Sequence, residues 1–244
     1  MNIILFEAHE TAANPVTIQD RRSVHIVKVL KAAPGDTVRV GIINGGLGTG
    51  SIIKISKQAV TLELRITEPR PPRPLTELIL ALPRPIMLKR VLAQATTLGV
   101  GRIFLINARR VEKSFFEASL LEEASYRDYL LQGLEQAVDT VLPKVSLHKR
   151  FKPFIEDELP ELIDYPGRLI AHPQAPHGLW EQAKAPIRER LALAIGPEGG
   201  WLDYEIEKFR AQGFAPFSLG PRILRVDTAV PAILAQLNLL RTLP

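Results

Sequence analysis

The sequence contains no cysteine among its 244 residues. This absence excludes disulfide bonds, thiol nucleophiles and cysteine metal sites, and it suits a reducing compartment. No apolar run approaches the roughly 18 residues that a membrane-spanning helix needs. The opening stretch MNIILFEAHE has no basic start and gains acidic residues early. We therefore expect no signal peptide, no membrane association and a cytoplasmic location.

Several sequence patterns of catalytic sites are also missing. The chain has no HExxH, no GxSxG and no His/Asp spacing typical of a metal site, so we expect no metal. The stretch GGLGTG at 45–50 lacks both the Lys-Ser/Thr of a Walker loop and the GxGxxG spacing. It joins two strand-like segments, which favours a flexible hairpin loop over a phosphate-binding loop.

The excess positive charge lies in the N-terminal third of the chain. The net charge is +5, and residues 1–75 hold 10 Lys or Arg against 6 Asp or Glu, whereas the remaining 169 residues hold 21 against 20. A basic region of this kind suits a polyanionic partner such as RNA. A basic surface that only aids solubility is the alternative.

The first seventy residues are rich in strand-like segments, namely IILF, TVRVGII, GSIIKIS and AVTLELRIT. Between the first two, TIQDRRSVHIVKVLKAAPGD predicts a helix whose apolar stripe is Val24, Val27 and Leu30. Several short strands and one helix predict a small β-barrel. The candidate RNA-binding residues on its helix are Arg21, Arg22, His25, Lys28 and Lys31.

A proline-rich stretch, EPRPPRPLTE, marks the strongest boundary in the chain, because closely spaced prolines form neither helix nor central strand. We predict a first domain over 1–70, a linker over 71–75 and a second domain over 76–244. In that second domain strand-like and helix-like segments alternate. This alternation predicts an α/β fold with a mostly parallel sheet.

The second domain contains five buried strand candidates: LTELILALP, RIFLINA, GRLIAHP, LALAIGPEGG and FAPFSLG. The predicted helices are IMLKRVLAQATTLGV, a stretch from about 116 to 137, DYEIEKFRAQG and TAVPAILAQLNLL. Asp203 is the expected N-cap of the third of these helices, and Gly213 should lie just past its end.

Two glycine-bearing loops stand out near the C-terminus. AIGPEGGW ends one strand and leads into a helix, and SLGPRILRVDTA does the same after the next strand, adding Arg222 and Arg225. Glycines allow a ligand to approach the backbone closely. Loops at the carboxyl ends of neighbouring parallel strands form the usual ligand cleft of such sheets. Two tight turns without any ligand are the alternative.

At these motifs the chain resembles the SPOUT-class 16S rRNA (uracil(1498)-N3)-methyltransferases. IGPEGG and LGPRILRVDTA resemble the paired C-terminal motifs of that family. RRSVHIVKVLKAAPGD resembles its PUA-like N-terminal barrel, LTELILALPRPIMLKRVLAQATTLGV its first strand and helix, and GLEQAVDTVLP its glutamine-centred segment. The resemblance implies a C-terminal trefoil knot, S-adenosylmethionine as cofactor, 16S rRNA of the small ribosomal subunit as partner, and a homodimer.

The resemblance also implies site residues. Arg225 would stabilise negative charge on the uracil ring or hold the base, and Asp227 or Glu198 would act as a base or orient that arginine. A loop salt bridge between Arg225 and Asp227 is the alternative. The residues implied to bind the cofactor are Leu169, Ala171, His172, Pro173, Ile195, Gly196, Pro197, Glu198, Gly199, Gly200, Leu219, Gly220, Ile223, Leu224 and Arg225.

The chain departs from the family pattern at four positions. Asp139 stands where the family usually has Arg, Gln94 and Thr97 stand where it has Lys and Glu, and Asp227 replaces a Glu. Two further functions therefore stay open. One is another SPOUT RNA methyltransferase, acting on tRNA or on a ribose 2′-OH, and the other is a non-catalytic RNA-binding or ribosome-assembly protein.

Overall fold

The computed structural model describes residues 1–57, 59–183 and 187–243. The chain forms two compact units: residues 1–73 with 131–142, and residues 74–130 with 143–244. The functional domain limits inferred from the sequence stay a prediction. Within the described ranges, no helix combines the length and the apolar character that crossing a bilayer requires.

The N-terminal unit contains a five-stranded sheet. Its strands are β1 (Ile4–Phe6), β2 (Val16–Ile18), β3 (Thr37–Ile42), β4 (Leu47–Ile55) and β5 (Val60–Glu68), in the order β1-β3-β4-β5-β2. β1 pairs with β3 in parallel, and the other pairs are antiparallel. Phe6, Val40, Ile52 and Leu62 form the centre of its apolar core. The predicted strands are thus confirmed, and β2 is an addition.

The glycine-rich stretch at 45–50 is only partly a loop, so the hairpin-loop prediction was wrong for its second half. Gly45 and Gly46 make the turn, and the N–H of Ile42 donates to the Gly46 carbonyl oxygen at 3.0 Å. Gly48 and Gly50 already lie in β4. A Cβ on Gly48 would overlap the carbonyl oxygen of Arg65 in β5. The glycine at 48 therefore permits close approach of two strands.

The predicted apolar stripe of the first helix is also wrong. α1 (Arg21–Val24) has a single α-helical turn and continues as a π-helical turn over His25–Val29. Ser23 and Ile26 face the core, whereas Val24, Val27 and Leu30 are exposed. The inward positions are three residues apart, and each comes one residue before a predicted one, because the short helix presents a different face to the sheet.

The second unit is built on a six-stranded sheet in which every pair is parallel. Its strands are β6 (Thr76–Ala81), β7 (Val100–Ile106), β8 (Lys144–His148), β9 (Gly167–Ala171), β10 (Leu191–Ile195) and β11 (Ala215–Phe217). The order is β11-β9-β10-β6-β7-β8. The central β6 and β10 are buried along their whole length, as expected for a parallel sheet covered on both faces. The predicted α/β fold is confirmed.

The labelled helices of this part of the chain are α2 (Pro85–Thr97), α3 (Glu123–Ala137), α4 (Phe151–Pro153), α5 (Leu159–Leu162), α6 (Leu179–Ala183), α7 (Asp203–Ala211) and α8 (Val226–Thr242). A π-helical turn over Phe154–Glu158 lies between α4 and α5, and 3₁₀ turns over Lys113–Glu117 and Ser119–Leu121 precede α3. The helix predicted from about 116 therefore begins later.

The N-cap prediction for α7 was wrong by one residue. Leu202 occupies the N-cap position, and the Glu205 carboxylate accepts its N–H at 2.8 Å. Asp203 is the first helical residue. Gly213 lies past the end of the helix with a φ of +78°, as predicted.

Candidate active site

A cleft of about 500 Å³ opens at the carboxyl edge of the six-stranded sheet. Three loops line it: 172–174 follows β9, 196–201 follows β10 and 218–224 follows β11. These strands are neighbours in the sheet, with β9 between the other two. The inner side of α8 completes the wall through Val226, Ala229 and Ile233. The cleft has the size and position of a ligand site in an open α/β sheet.

The structure brings most of the predicted cofactor residues to this cleft. Leu169 does not line it, because it is buried in β9 between Leu193 and Ala215 on the neighbouring strands. Arg225 is the N-cap of α8, and its side chain is 73% exposed. The predicted residues that line the cleft are Ala171, His172, Pro173, Ile195, Gly196, Pro197, Glu198, Gly199, Gly200, Leu219, Gly220, Ile223 and Leu224.

Sequence reasoning missed other lining residues. Trp201 is the last residue of the quoted stretch AIGPEGGW, so its position was a usable signal. Arg110 comes from the segment after β7, a strand that is not adjacent to β9, β10 or β11, and nothing in the sequence pointed to it. The other lining residues absent from the predicted site are Gln174, Asp203, Phe217, Ser218, Val226, Ala229 and Ile233. Arg222, which also lines the cleft, belongs to the loop singled out in the sequence.

The glycines of the 196–200 loop are explained in part by the chain itself. A Cβ on Gly196 would lie 3.1 Å from atoms of the Trp201 indole, and one on Gly199 would lie 3.0 Å from Cδ of Arg110. Arg110 Nη1 also donates to the Gly199 carbonyl oxygen. Gly200 has a φ of +74°, which favours glycine. Contacts within the chain thus favour glycine at 196 and 199, and the backbone conformation favours it at 200, whether or not a ligand approaches.

Gly220 in the second loop has a different environment. Its φ is +104°, and no heavy atom lies within 4 Å of the place that a Cβ would occupy. The need for glycine here comes from the backbone conformation. This loop keeps open space beside the cleft.

Glu198 is tied to the start of α2. Its Oε1 accepts the backbone N–H of Arg84, the N-cap residue of that helix, at 3.0 Å. A carboxylate near the N-terminus of a helix is also favoured by the helix dipole. Glu198 therefore anchors the 196–200 loop to α2.

Asp227 lies in the first turn of α8 with its side chain only 10% exposed. Arg90 of α2 donates from Nη1 to its Oδ2 at 3.2 Å. The other oxygen, Oδ1, is buried and has no hydrogen-bond partner within the described part of the chain. Nε of Arg225 lies 3.8 Å from that oxygen, and Nη2 of Arg225 lies 3.9 Å from Sδ of Met87. Arg225 and Asp227 are thus close, as predicted, without a hydrogen bond between them.

Two ring nitrogens of cleft residues are buried and unpaired among the described residues: Nδ1 of His172 and Nε1 of Trp201. Burial lowers the pKa of His172 below its ordinary value, so its imidazole is neutral at pH 7. The backbone N–H of His172 donates to the Phe217 carbonyl oxygen at 2.9 Å, which fixes the loop to β11. Unpaired buried nitrogens at a cleft are suited to a ligand.

The predicted RNA-binding residues of the N-terminal unit divide into two groups. Arg22 is only 12% exposed; its guanidinium pairs with Glu10 at 2.6 Å and donates to the Leu5 carbonyl oxygen. It also lies over the Phe6 ring at 5.0 Å. Arg22 therefore stabilises the N-terminal unit, and little of its guanidinium is accessible to RNA.

Arg21 pairs with Glu135 at 2.6 Å, and Nε2 of His25 lies 3.0 Å from the Met1 carbonyl oxygen. Lys28 and Lys31 are exposed. Of the five predicted residues, these two lysines present their charge most directly to solvent. RNA binding by the group stays a prediction.

The fold and the cleft together define an α/β protein with a ligand-sized cleft at the carboxyl edge of a parallel sheet. Residues 70–238 match the family described as "RNA methyltransferase domain", and residues 18–65 match "RNA methyltransferase PUA domain". The chain belongs to this RNA methyltransferase family. The predicted PUA-like N-terminal fold is thereby confirmed.

Named relatives agree with this assignment. The chain is 32% identical over 240 residues to ribosomal RNA small subunit methyltransferase E of Treponema pallidum, covering 96% of this chain and 90% of that protein. It is 25% identical to the corresponding enzyme E 1 of Borreliella burgdorferi over 95% of each chain.

Solved structures share the fold. A ribosomal RNA small subunit methyltransferase E from Neisseria gonorrhoeae, bound to S-adenosylmethionine, superposes with a TM-score of 0.75 at 20% identity over 98% of each chain. A methyltransferase from Legionella pneumophila gives 0.74 at 22% identity over 98% of this chain and 97% of that one.

Proposed function

We propose that this chain transfers the methyl group of S-adenosylmethionine to N3 of a uracil in the 16S rRNA of the small ribosomal subunit. One observation carries the proposal. In a member of the RNA methyltransferase family, loops after three adjacent parallel strands enclose a ligand-sized cleft, with Arg225 and Asp227 close together near it. The names of the relatives support the rRNA substrate, and the Neisseria structure supports the cofactor.

The cleft residues fit this cofactor. The volume of about 500 Å³ lies within the usual range for small-molecule sites. Leu219, Ile223 and Leu224 line the cleft and offer accessible apolar surface for an adenine ring. The unpaired nitrogens of His172 and Trp201 lie beside it as candidate polar contacts. The neutral imidazole of His172 does not repel a sulfonium cation. We assign the fifteen predicted cofactor residues to this role, with Leu169 acting from behind the cleft.

S-adenosylmethionine, when bound, supplies a methyl group on a positively charged sulfur. The protein must hold the acceptor nitrogen in line with that methyl group, and such positioning contributes several kcal/mol, roughly 7–11 in well-oriented cases. As the N3 proton leaves, negative charge develops on the uracil ring. The exposed guanidinium of Arg225 is the group that we assign to stabilise this charge.

We assign two different roles to the carboxylates. Asp227 has a free oxygen facing Arg225, so it orients that guanidinium or accepts the N3 proton. Glu198 already accepts the Arg84 N–H, so it holds the cofactor loop in place. The alternative of a plain loop salt bridge predicts that Arg225 can be removed without loss of activity.

The substrate RNA would bind to the basic N-terminal unit through phosphate contacts, which position the RNA but do not specify the base. Methylation would take place in the cytoplasm, where ribosomal subunits mature.

The trefoil knot and the homodimer belong to the same proposal. Leu239 and Leu243 near the end of the chain are exposed, which suits a dimer contact, and light scattering of the purified protein tests it.

The decisive experiment is transfer of a tritiated methyl group onto small ribosomal subunits that lack the modification, followed by identification of the product nucleoside. We expect N3-methyluridine in 16S rRNA. Label in tRNA or on a ribose 2′-OH would establish the alternative RNA methyltransferase. Calorimetry that detects no binding of S-adenosylmethionine would instead support a non-catalytic RNA-binding protein.

A further inference from the structure

The helix α2 and its N-cap residue contact all three predicted catalytic residues. The backbone N–H of Arg84 donates to Glu198, the sulfur of Met87 lies near Arg225, and the guanidinium of Arg90 donates to Asp227. We propose that Arg90 is a positioning residue, which holds Asp227 so that its free oxygen faces Arg225. This inference rests on the proposed function.

The geometry of the Asp227 carboxylate supports this role. An aspartate has a short side chain, so fixing one oxygen orients the other. Arg90 fixes Oδ2 with a hydrogen bond of 3.2 Å. Oδ1 is then left buried and unpaired within the described ranges, 3.8 Å from Nε of Arg225. A buried polar atom without a partner is rare in a folded protein, and such atoms often serve a function.

The position of Arg90 on a rigid element supports it as well. α2 is a 13-residue helix that buries Met87, Leu88, Val91 and Leu92 against the rest of its unit. The Arg90 side chain is 59% exposed, whereas the Asp227 side chain is only 10% exposed, so loss of Arg90 leaves a largely buried carboxylate without its donor and should lower the melting temperature. It should also slow the methyl-transfer step, and assays run well below the melting temperature separate the two effects.

The experiment measures methyl transfer by Arg90→Gln, Arg90→Lys, Asp227→Asn and the double variant Arg90→Gln with Asp227→Asn. Lys89→Gln is the matched control, because it removes one positive charge from the neighbouring position of α2, where Lys89 lies over the Tyr129 ring at 5.7 Å. Calorimetric affinity for S-adenosylhomocysteine and the melting temperature are measured for each variant.

For Arg90→Gln we expect kcat to fall roughly 10- to 100-fold, the loss typical of a misplaced catalytic group. KM for the ribosomal subunit and the affinity for S-adenosylhomocysteine should stay within about twofold, since ground-state binding is retained. Arg90→Lys should restore most of the activity, because a single donated hydrogen bond is needed. In the Asp227→Asn background, Arg90→Gln should add no further loss, because Arg90 acts through Asp227.

Two results would overturn the role of Arg90 while leaving the proposed function intact. One is a double variant whose loss of kcat is the product of the two single losses, and the other is an equal loss of kcat in Lys89→Gln and Arg90→Gln. A kcat for Arg90→Gln equal to that of the wild type would do the same. Absence of methyl transfer by the wild-type protein would overturn the proposed function, and the positioning role with it.

Discussion

The indole of Trp201 lies against the backbone of Gly196, so that a Cβ at position 196 would stand 3.1 Å from Cε2 and Nε1 of the ring. The ring cannot retreat easily. Phe209 packs at 5.2 Å and Phe151 at 6.4 Å between ring centroids, and Trp201 is buried. The glycine at 196, the first of the 196–200 loop, is therefore required by the aromatic cluster of Trp201, Phe209 and Phe151.

Gly196→Ala should lower the free energy of unfolding by about 1–3 kcal/mol, because an added methyl group overpacks a rigid site. It should also weaken S-adenosylhomocysteine binding, since the displaced indole lines the cleft. Urea denaturation and calorimetry measure the two effects. Gly199→Ala is the control: there the neighbour is the flexible stem of Arg110, so the stability loss should be smaller. Equal losses would contradict the argument from rigidity.

A buried carboxylate holds together the opposite, amino-terminal edge of the six-stranded sheet. Glu77 on β6 is fully buried and is held by Arg102 at 2.6 Å, by the Tyr165 hydroxyl at 2.6 Å and by Arg190. Glu77→Gln removes the charge that these two arginines share. We expect a loss of about 3 kcal/mol of unfolding free energy, the size found when one partner of a buried ion pair is removed.

The pH dependence of stability gives a separate prediction for the same residue. Burial opposes ionisation of Glu77, but hydrogen bonds from Arg102 and Tyr165 outweigh it and hold its pKa below the ordinary value of 4.5. A lowered pKa stabilises the folded state above pH 4.5, and this contribution is lost as the pH falls below that value. The stability difference between the wild type and Glu77→Gln should therefore shrink on acidification. A difference that stays constant from pH 7 to pH 3 would be inconsistent with this.

Asp139, for which the family resemblance predicts an Arg, forms hydrogen bonds within its own turn. Its Oδ1 accepts the N–H groups of Thr140 at 2.6 Å and Val141 at 2.9 Å, after Val138 has adopted a φ of +59°. Asp139→Asn keeps this turn and should leave stability nearly unchanged. Asp139→Ala should cost about 1 kcal/mol, the usual value of a hydrogen bond. Thermal unfolding of the two variants compares their stabilities directly. Equal midpoints would show that the hydrogen bonds of the Asp139 carboxylate within this turn do not stabilise the fold.

The sequence predicted the second unit well because its elements have strong local patterns. The short apolar runs of β6, β7, β9 and β10 alternate with helix-like segments, a pattern that favours strands of a parallel sheet. The glycines after β10 and β11 indicate the cleft. Elements with weak patterns were missed. β8 is a short edge strand of mixed polarity, KVSLH, with only part of it shielded from solvent. Its place is set by pairing with β7, which no local pattern reveals.

Contacts that join distant parts of the chain were also out of reach of sequence reasoning. Arg110 reaches Gly199 across 89 positions, and Arg90 reaches Asp227 across 137. The face of α1 was misjudged for a related reason. Val24, Val27 and Leu30 satisfy helical spacing as well as Ser23 and Ile26 do, and only the sheet decides which face is buried.

The two exposed lysines of the first unit should contribute to RNA binding. Lys28→Gln with Lys31→Gln should weaken binding to 16S rRNA and reduce the slope of log affinity against log salt by roughly 0.7–0.9 for each phosphate that a lysine no longer neutralises. Filter binding between 50 and 200 mM salt, about the range over which such effects are large, measures this. An unchanged slope would assign RNA binding to another surface.

Arg22→Gln should instead lower the melting temperature, because Arg22 joins Glu10 and Leu5.

Arg225 provides the most direct test of the chemistry. Its guanidinium is exposed, 3.8 Å from the free oxygen of Asp227, so its removal opens no cavity in the core. Arg225→Ala should therefore fold normally and keep most of its affinity for S-adenosylhomocysteine, because the thirteen predicted cofactor residues that line the cleft remain. It should nevertheless lower kcat by roughly 10²–10³, as loss of a charge-stabilising donor does in other enzymes. Arg225→Lys should recover part of the rate, because the charge returns without the planar donor set. Single-turnover methyl transfer separates this step from product release. A wild-type kcat in Arg225→Ala would show that the pair with Asp227 is only a loop salt bridge. The negative charge on the uracil ring would then need another cation, and Arg222, in the same loop, is the nearest one in sequence.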